Sequence, residues 1–514
     1  MSTGPTAREL IIRGAREHAD RVAVVFGDEE LTYDEVDRLS NRLAHALAGQ
    51  GAGHRDRVGL LLDNCLLSVP LDFACVKAGI DRVPLNSRLS AAEHVTMLAT
   101  TGCELVVHAA ALGDRARELA AALPEVSFLP LDPGPGVTAP TLLDLADRAP
   151  DTLPDVPARP DDVILTLFTS GTTGTLKAAR HTQASFAAVC RNVLLNMLPA
   201  TRDDVMLHAA GLNHAGGVFV LPLWLRGGRT VVLPGFAPGP FLEAIPRHGV
   251  TAINLVPTMI QMLSEHPDFA TTDVSTLRQV IYGASPMPRP VIERVMGVWG
   301  QERFWQYYGQ TEVPLCIAVL RPEDHTGERL AACGRLAVDV ELRLLGEDGR
   351  PVAPGEPGEI VVRGPSACAG YFDAPDLTAQ TFRDGWVHTR DVGVLDDQGF
   401  LYLKDRTSDM IVSGGFNVYP REVEDALLGH PAVREVAVVG TPDPRWIETV
   451  TAVIVPAQDV TPDDTLREEL ADHVAARIAA YKKPRRILFR DGLPKTVVGK
   501  INRKRLRGEL TVEK

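Results

Sequence analysis

No apolar run in this 514-residue chain approaches the ~20 residues that a membrane-spanning helix needs. The stretch from Met1 to Leu10 also lacks the basic segment and apolar core of a secretory signal. A cytoplasmic protein without a membrane span is expected. Positive charge is in deficit: the formal net charge is −13, which disfavours general nucleic-acid binding. The seven cysteines, Cys65, Cys75, Cys103, Cys190, Cys316, Cys333 and Cys368, form neither a C-x-x-C pair nor a zinc spacing. Most lie in apolar runs and read as buried free thiols in a reducing compartment. No internal repeat is visible. Apolar residues at 45% and charged residues at 23% match a folded globular chain and exclude disorder as the main state. The length allows several compact units of about 100–200 residues each.

The first part alternates strands and helices. Val22-Ala23-Val24-Val25-Phe26, Val58-Gly59-Leu60-Leu61-Leu62 and Leu105-Val106-Val107-His108 read as strands. A helix opens at Thr32-Tyr33-Asp34-Glu35 and places Leu39, Leu43 and Leu47 on one face. This alternation predicts parallel α/β layers to about Leu320, crossed by Pro/Gly/Asp-rich surface connections at 130–140 and 150–162. From Glu341 to Gly399, short strands and Gly/Pro turns predict a β-rich subdomain. A small α+β unit begins near Asp405, with a helix around Glu422-Val423-Glu424. Its strands are expected at 436–439 and 451–455, its second helix at 466–479, and a basic tail closes it.

One loop carries the most chemistry: Leu167-Phe168-Thr169-Ser170-Gly171-Thr172-Thr173-Gly174-Thr175-Leu176-Lys177. Its glycines let backbone N–H groups crowd toward an anion, its hydroxyls add donors, and the lysine adds a cation. Such a loop is suited to a polyphosphate, and so to ATP. The Gly-Lys-[Ser/Thr] ending of a Walker A loop is missing, which points away from ordinary P-loop ATPases. Four further signals follow in order. They are Tyr307-Tyr308-Gly309-Gln310-Thr311-Glu312, the run from Gly385 to Gly393 holding Asp391, the run from Lys404 to Asn417, and Leu493 to Arg503 around Lys500. Taken singly, each reads equally as a loop or a solvated charge run.

Together, in this order, they resemble the adenylate-forming superfamily: acyl-CoA and aryl-CoA synthetases, peptide-synthetase adenylation domains and luciferases. The resemblance covers essentially the whole chain. It implies a large N-terminal core over residues 1–405, made of two layered α/β subdomains and a β-rich one, and a small mobile α+β domain over 406–514. It implies joining of a carboxylate to the α-phosphate of ATP, release of pyrophosphate, and transfer of the acyl group to a thiol. By resemblance, Thr169, Ser170, Gly171, Thr172, Thr173, Gly174 and Lys177 wrap the β- and γ-phosphates. Glu312 binds Mg²⁺, a hard cation suited to carboxylate oxygen, and Thr311 touches the α-phosphate. Gly283, Ala284 and Ser285 lie along the adenine, with Tyr307, Tyr308 and Gly309 beside them. Asp391 and Arg406 hold the ribose. Lys500 bridges the carboxylate and the α-phosphate. Lysine is scarce beside arginine in this chain, yet it sits inside both phosphate-facing motifs.

The resemblance also implies rotation of the C-terminal domain about Ser408, after which Gly414 and Gly415 line the thiol tunnel. Four positions depart from the family pattern. Serine replaces the usual Asp or Lys at 408, Leu176 and Ala178 replace the Pro and Gly around Lys177, and Ile447 stands where Gly is common. The changes at 176, 178 and 447 remove no side-chain donor or charge, so adenylation is expected to survive. Ser408 alters the electrostatics of the hinge but not its expected location, and loop closure and the second half-reaction are the steps exposed to change.

The acid pocket is implied around Asn213, His214, Gly217, Gly283, Tyr307 and Leu315. His214 reads equally as an aromatic gate acting on the acid and as a core histidine with a satisfied hydrogen bond. The Asn-His pair beside glycines and tyrosines points to a small aryl or polar acid. Pro84-Leu85-Asn86-Ser87-Arg88-Leu89 resembles CoA ligases, so CoA is the expected acceptor, with phosphopantetheine on a separate carrier protein behind it. No carrier segment is expected after Lys514. The basic tail, Lys482-Lys483-Pro484-Arg485-Arg486 and Arg503-Lys504-Arg505, suits the 3′-phosphate of CoA rather than nucleic acid. Activation of nitrite for transfer to an amine, and a catalytically inactive nucleotide-binding protein, are the remaining alternatives. The intact Lys177, Glu312, Asp391, Arg406 and Lys500 favour an active enzyme.

Overall fold

The computed structural model describes residues 4–512, apart from 171–175, 213–214, 407–408, 414–415, 444–445, 459 and 497–499. At 170, 215, 405–406, 416–417 and 512 it describes the backbone alone. Among the described residues, strands form four sheets. The largest has nine strands in the order Arg335–Leu336, Ala318–Leu320, Phe304–Tyr308, Gln279–Gly283, Ala252–Leu255, Val205–His208, Arg229–Val232, Val22–Phe26, Glu29–Thr32. Its six central strands pair in parallel, and only its edges are antiparallel. A six-stranded sheet follows the order Ser127–Pro130, Leu105–His108, Arg57–Leu61, Asp81–Pro84, Val163–Ser170, Leu176–Thr182. It is parallel except for its last pair. Helices cover both sheets, as near-continuous apolar strands buried on two faces require.

Local sequence explains these elements. The helix Tyr33–Gly49 starts on a reciprocal cap: the Thr32 side chain accepts from the Glu35 N–H, and the Glu35 carboxylate accepts from the Thr32 N–H at 2.7 Å. Leu43 and Leu47 on its inner face are fully buried, each contributing roughly 1.5–3 kcal/mol by burial. Among the described residues, no helix is long and apolar enough to cross a membrane.

The β-rich part is a five-stranded sheet of Glu341–Leu345, Gly358–Arg363, Trp386–Leu395, Phe382–Arg383 and Leu401–Arg406. Residue 406 thus ends a strand of this sheet. A second five-stranded sheet uses residues 411–489 alone, with Val433–Asp443 and Ile447–Pro456 as its long hairpin. Its helices are Pro420–Leu428 and Asp464–Ala475, the latter shorter than expected at its C-terminal end. The chain is therefore a large multi-sheet N-terminal part with a smaller α+β C-terminal part.

Candidate active site

Asp391 comes from the strand Trp386–Leu395 of the β-rich sheet. Arg390 beside it has φ 61°, a left-handed conformation that costs an L-residue about 1–2 kcal/mol. The Arg390 N–H donates to Glu359 Oε1 at 3.2 Å. Asp391 is only 5% exposed. Its Oδ2 accepts from the Tyr308 hydroxyl at 2.6 Å and from Gln310 Nε2 at 2.6 Å. A buried carboxylate needs donors of this kind. Burial and then the Asp391 charge push the Tyr308 hydroxyl well above its ordinary pKa, so it stays a donor. Arg406 is the residue opposite Asp391 in the antiparallel ladder, so the main chain brings both to one place.

The side expected to face phosphate is built on the hairpin Val163–Ser170 with Leu176–Thr182, in which Thr169 pairs with Lys177 and Ser170 with Leu176. Lys177 Nζ lies 5.7 Å from the Tyr371 ring centroid. The Tyr371 hydroxyl donates to Glu312 Oε1 at 2.5 Å. Burial first, then the Glu312 charge, raise the Tyr371 pKa and keep that proton on the phenol. Backbone bonds stitch the segment around Tyr371 in place. The Cys368 N–H donates to the Glu312 carbonyl at 2.8 Å, Ala369 N–H to Arg180 O at 2.8 Å, and Phe372 N–H to Ala178 O at 2.8 Å. His181 adds a further tie, 2.8 Å from Nε2 to the Thr311 carbonyl. Burial lowers its pKa to about 4. A carbonyl only accepts, so the neutral ring carries its hydrogen on Nε2. Thr311 and Glu312 are thus held by segments distant in sequence. Gln310 lay in view inside the motif around Glu312, but no spacing singled out His181 or Tyr371.

Gly283, Tyr307, Gly309 and Leu315 are also brought together. A Cβ on Gly283 would sit 2.4 Å from the Tyr307 carbonyl oxygen and 2.9 Å from its ring, so only glycine fits. A Cβ on Gly309 would meet the Leu315 backbone at 2.6 Å. Ala284 and Leu315 are non-glycine residues at φ 67° and 60°, the kind of local strain that collects at working sites. Ser285 follows, half-buried. Tyr307 is buried, and its hydroxyl is hydrogen-bonded to Asn254. At Gly217, a Cβ would lie 1.9 Å from the Leu212 carbonyl oxygen, so its small size serves a backbone crossing. Asn64 anchors the same stretch: its Nδ2 donates to Ala210 O at 3.1 Å and its Oδ1 accepts from the Leu212 N–H at 2.9 Å.

Lys500 stands on a hairpin of the C-terminal part. Its N–H donates to Thr496 Oγ1 at 3.2 Å, and the Thr496 N–H returns a bond to its carbonyl at 2.7 Å. The basic tail is largely paired with acids of its own unit: Lys482 with Glu422, Lys483 with Asp472, Arg503 with Glu424 and Arg505 with Glu509. Arg485 instead stacks 4.1 Å from the Trp446 ring centroid. Gly171, Thr172, Thr173, Gly174, Asn213, His214, Ser408, Gly414 and Gly415 lie outside the described residues.

Residues 12–372 match the model of the AMP-binding enzyme family, and residues 422–500 match its C-terminal domain. The chain belongs to the AMP-binding enzyme family. A feruloyl-CoA synthase from an Amycolatopsis species is 39% identical over 503 residues, covering 97% of each chain. A medium/long-chain-fatty-acid–CoA ligase, FadD8 of Mycobacterium tuberculosis, is 36% identical over 97% of this chain and 89% of its own. Among solved structures, the amide bond synthetase McbA of Marinactinospora thermotolerans superposes with a TM-score of 0.89 at 30% identity, over 98% of this chain and all of its own. The anthranilate CoA ligase AuaEII, in complex with anthranoyl-AMP, gives 0.91 at 26% identity, over 100% and 98%. This AMP-binding enzyme is an AMP-forming acid–thiol ligase that uses ATP.

Among the described residues of the ligase, no group of three or more His, Cys, Asp or Glu side chains could hold a metal ion. A site built on Glu312 alone fits Mg²⁺ that takes its other ligands from substrate phosphates and water. Tyr371 fixes one Glu312 oxygen and so sets the direction in which the carboxylate faces.

Proposed function

We propose that the ligase activates a small aromatic acid as its acyl-adenylate and transfers the acyl group to CoA. The observation that carries this reading is one continuous set of contacts. It runs from Lys177 through Tyr371 to Glu312, then two residues along the main chain to Gln310, whose side chain donates to Asp391. Phosphate-side, metal-side and ribose-side groups from separate sheets therefore meet in one place. The aromatic character rests on the buried strand-end set of Gly283, Tyr307 and Leu315 and on the feruloyl-CoA and anthranilate relatives. We divide the chain at residues 405 and 406, place it in the cytoplasm on its seven unpaired cysteines, and assign Ser408 as hinge.

In the first half-reaction a carboxylate oxygen of the acid attacks the α-phosphorus. The acyl O–P bond forms, the bond to the bridging oxygen breaks, and pyrophosphate leaves. Lys177 and the hydroxyls from Thr169 to Thr173 take the charge of the leaving pyrophosphate. Asp391 and Arg406 hold the ribose diol, and Gly283, Ala284 and Ser285 leave room for adenine. Thr311, steadied through its carbonyl by His181, contacts the α-phosphate. Mg²⁺, when bound at Glu312, supplies charge neutralisation between the phosphates. Lys500 offsets the repulsion between the two anions, where oriented charge contributes most to rate. In the second half-reaction the CoA thiol attacks the acyl carbonyl and AMP departs, with Gly414 and Gly415 along the thiol path.

The test is a pyrophosphate-release screen over aryl, short-chain, medium-chain and long-chain acids and nitrite, each with and without CoA. Aryl acids should give the highest release, and their CoA thioesters should appear by mass spectrometry. Release confined to long-chain acids or nitrite contradicts the substrate class. Release with transfer only to a carrier protein or an amine contradicts the acceptor.

A further inference from the structure

His208 ends the strand Val205–His208 in the middle of the nine-stranded sheet. It is 2% exposed, and its Nε2 has no hydrogen-bond partner among the described residues. An imidazole buried in this way requires a physical reason, because burying an unsatisfied polar atom costs about 1–3 kcal/mol.

The strand register shows where the ring points. Alternate residues of a strand share a face. Met206 packs in the same core as Ala252, Ile281, Tyr307 and Leu315, whereas Val205 and Leu207 pack in the core on the opposite face. His208 therefore lies on the Tyr307 side. Ala252 pairs with Met206 and Ile253 with Leu207, so Asn254 is the next neighbour of His208 across the parallel ladder. Asn254 pairs in turn with Ile281, two residues before Gly283. The Asn254 side chain is hydrogen-bonded to the Tyr307 hydroxyl. His208 and Asn254 thus sit on adjacent strands, one row deeper in the sheet than Gly283, and the Tyr307 side chain, from the strand beyond Gln279–Gly283, reaches Asn254 to complete a polar set.

We propose that His208 is a specificity-determining residue, offering its ring beside Asn254 and Tyr307 to a phenolic hydroxyl on an aromatic acid, in the part of the pocket remote from the carboxylate. The inference rests on the aromatic-acid reading above. The chemistry narrows the ligand. Burial alone lowers the His208 pKa to about 4, with no carboxylate nearby to raise it. The ring is therefore neutral and is a poor partner for a second carboxylate. An aliphatic tail would leave Nε2 unpaired. A phenol donates to one nitrogen and fits apolar walls.

The test compares cinnamic acid with 4-hydroxycinnamic acid, reading kcat/KM for pyrophosphate release in the wild-type enzyme, His208→Leu and His208→Gln. Wild type should favour the hydroxylated acid about 100-fold or more, as sites built to hydrogen-bond a hydroxyl do. His208→Leu should reduce that preference to about threefold or invert it, and His208→Gln should keep part of it. ATP affinity and the melting midpoint report whether each variant is folded. If neither variant folds, His208→Phe, which keeps a flat ring and loses both nitrogens, is read in the same way as His208→Leu. Turnover of both acids with a ratio near one overturns the role of His208 and leaves the aromatic-acid reading standing; the imidazole is then satisfied by trapped water. An equal loss on both acids in His208→Leu also overturns it. Turnover of neither acid by wild type overturns the aromatic-acid reading, and this inference with it.

Discussion

Both neutral donors to Asp391, the Tyr308 phenol and the Gln310 amide, reach the same carboxylate oxygen. An asymmetric arrangement of this kind fixes the plane of the group before any ligand arrives. In Asp391→Asn the amide keeps the shape and loses the charge. A hydrogen bond to a charged group contributes about 1.5–3 kcal/mol, so ATP affinity should fall about 10- to 100-fold. Calorimetric titration with ATP checks this, and unchanged affinity would remove the ribose assignment. The same scale shows what the text of the chain hides. Asp391 and Glu312 stand in recognisable motifs. Tyr371 is visible as a residue, but nothing in its spacing joins it to Glu312, 59 positions away. That bond depends on the clamp of the 368–372 segment onto the strand holding Arg180, a tertiary event. His181 and His208 are hidden for the same reason: a histidine in a strand carries no mark in its neighbours of what its ring will meet.

At the scale of elements, the hairpin Val433–Asp443 with Ile447–Pro456 carries a conflict between residue and backbone. Ile447 has φ 70° while 67% exposed, and it pairs with Ser413 at the edge of the 411–418 hairpin. A β-branched residue is strained there and gains little from burial. Ile447→Gly should relieve about 1 kcal/mol. Amide exchange from Val450 to Ile454 should then slow about fivefold, measured by hydrogen exchange with mass spectrometry. Faster exchange would show that contacts of the isoleucine outweigh the strain. Elements follow the sequence pattern where a run has one environment, as in the strand Val22–Phe26 and the helix from Thr32. Ends set by packing depart from it, as at Asp464–Ala475.

For the whole molecule, the sheets matter less singly than where they meet. The six-stranded sheet delivers Lys177, the nine-stranded sheet Tyr307 and Tyr308, and the β-rich sheet Asp391. The alternation of strands and helices announced the layers, and the ordered motifs announced the family. The register that sets His208 beside Asn254 was legible in neither, because strand order in a nine-stranded sheet is decided by long-range pairing. Lys500 is the one proposed catalytic side chain that the C-terminal part must bring to this junction. Acid-dependent ATP–pyrophosphate exchange with an aromatic acid, in wild type and Lys500→Ala, therefore tests the account most directly. Removing one preorganised charge partner of the reacting groups costs about 10²–10³ in rate. The account predicts robust exchange in wild type and a loss of at least that size in the variant, with an unaltered melting profile. Exchange by Lys500→Ala at the wild-type rate, or none by wild type with any acid, would contradict it.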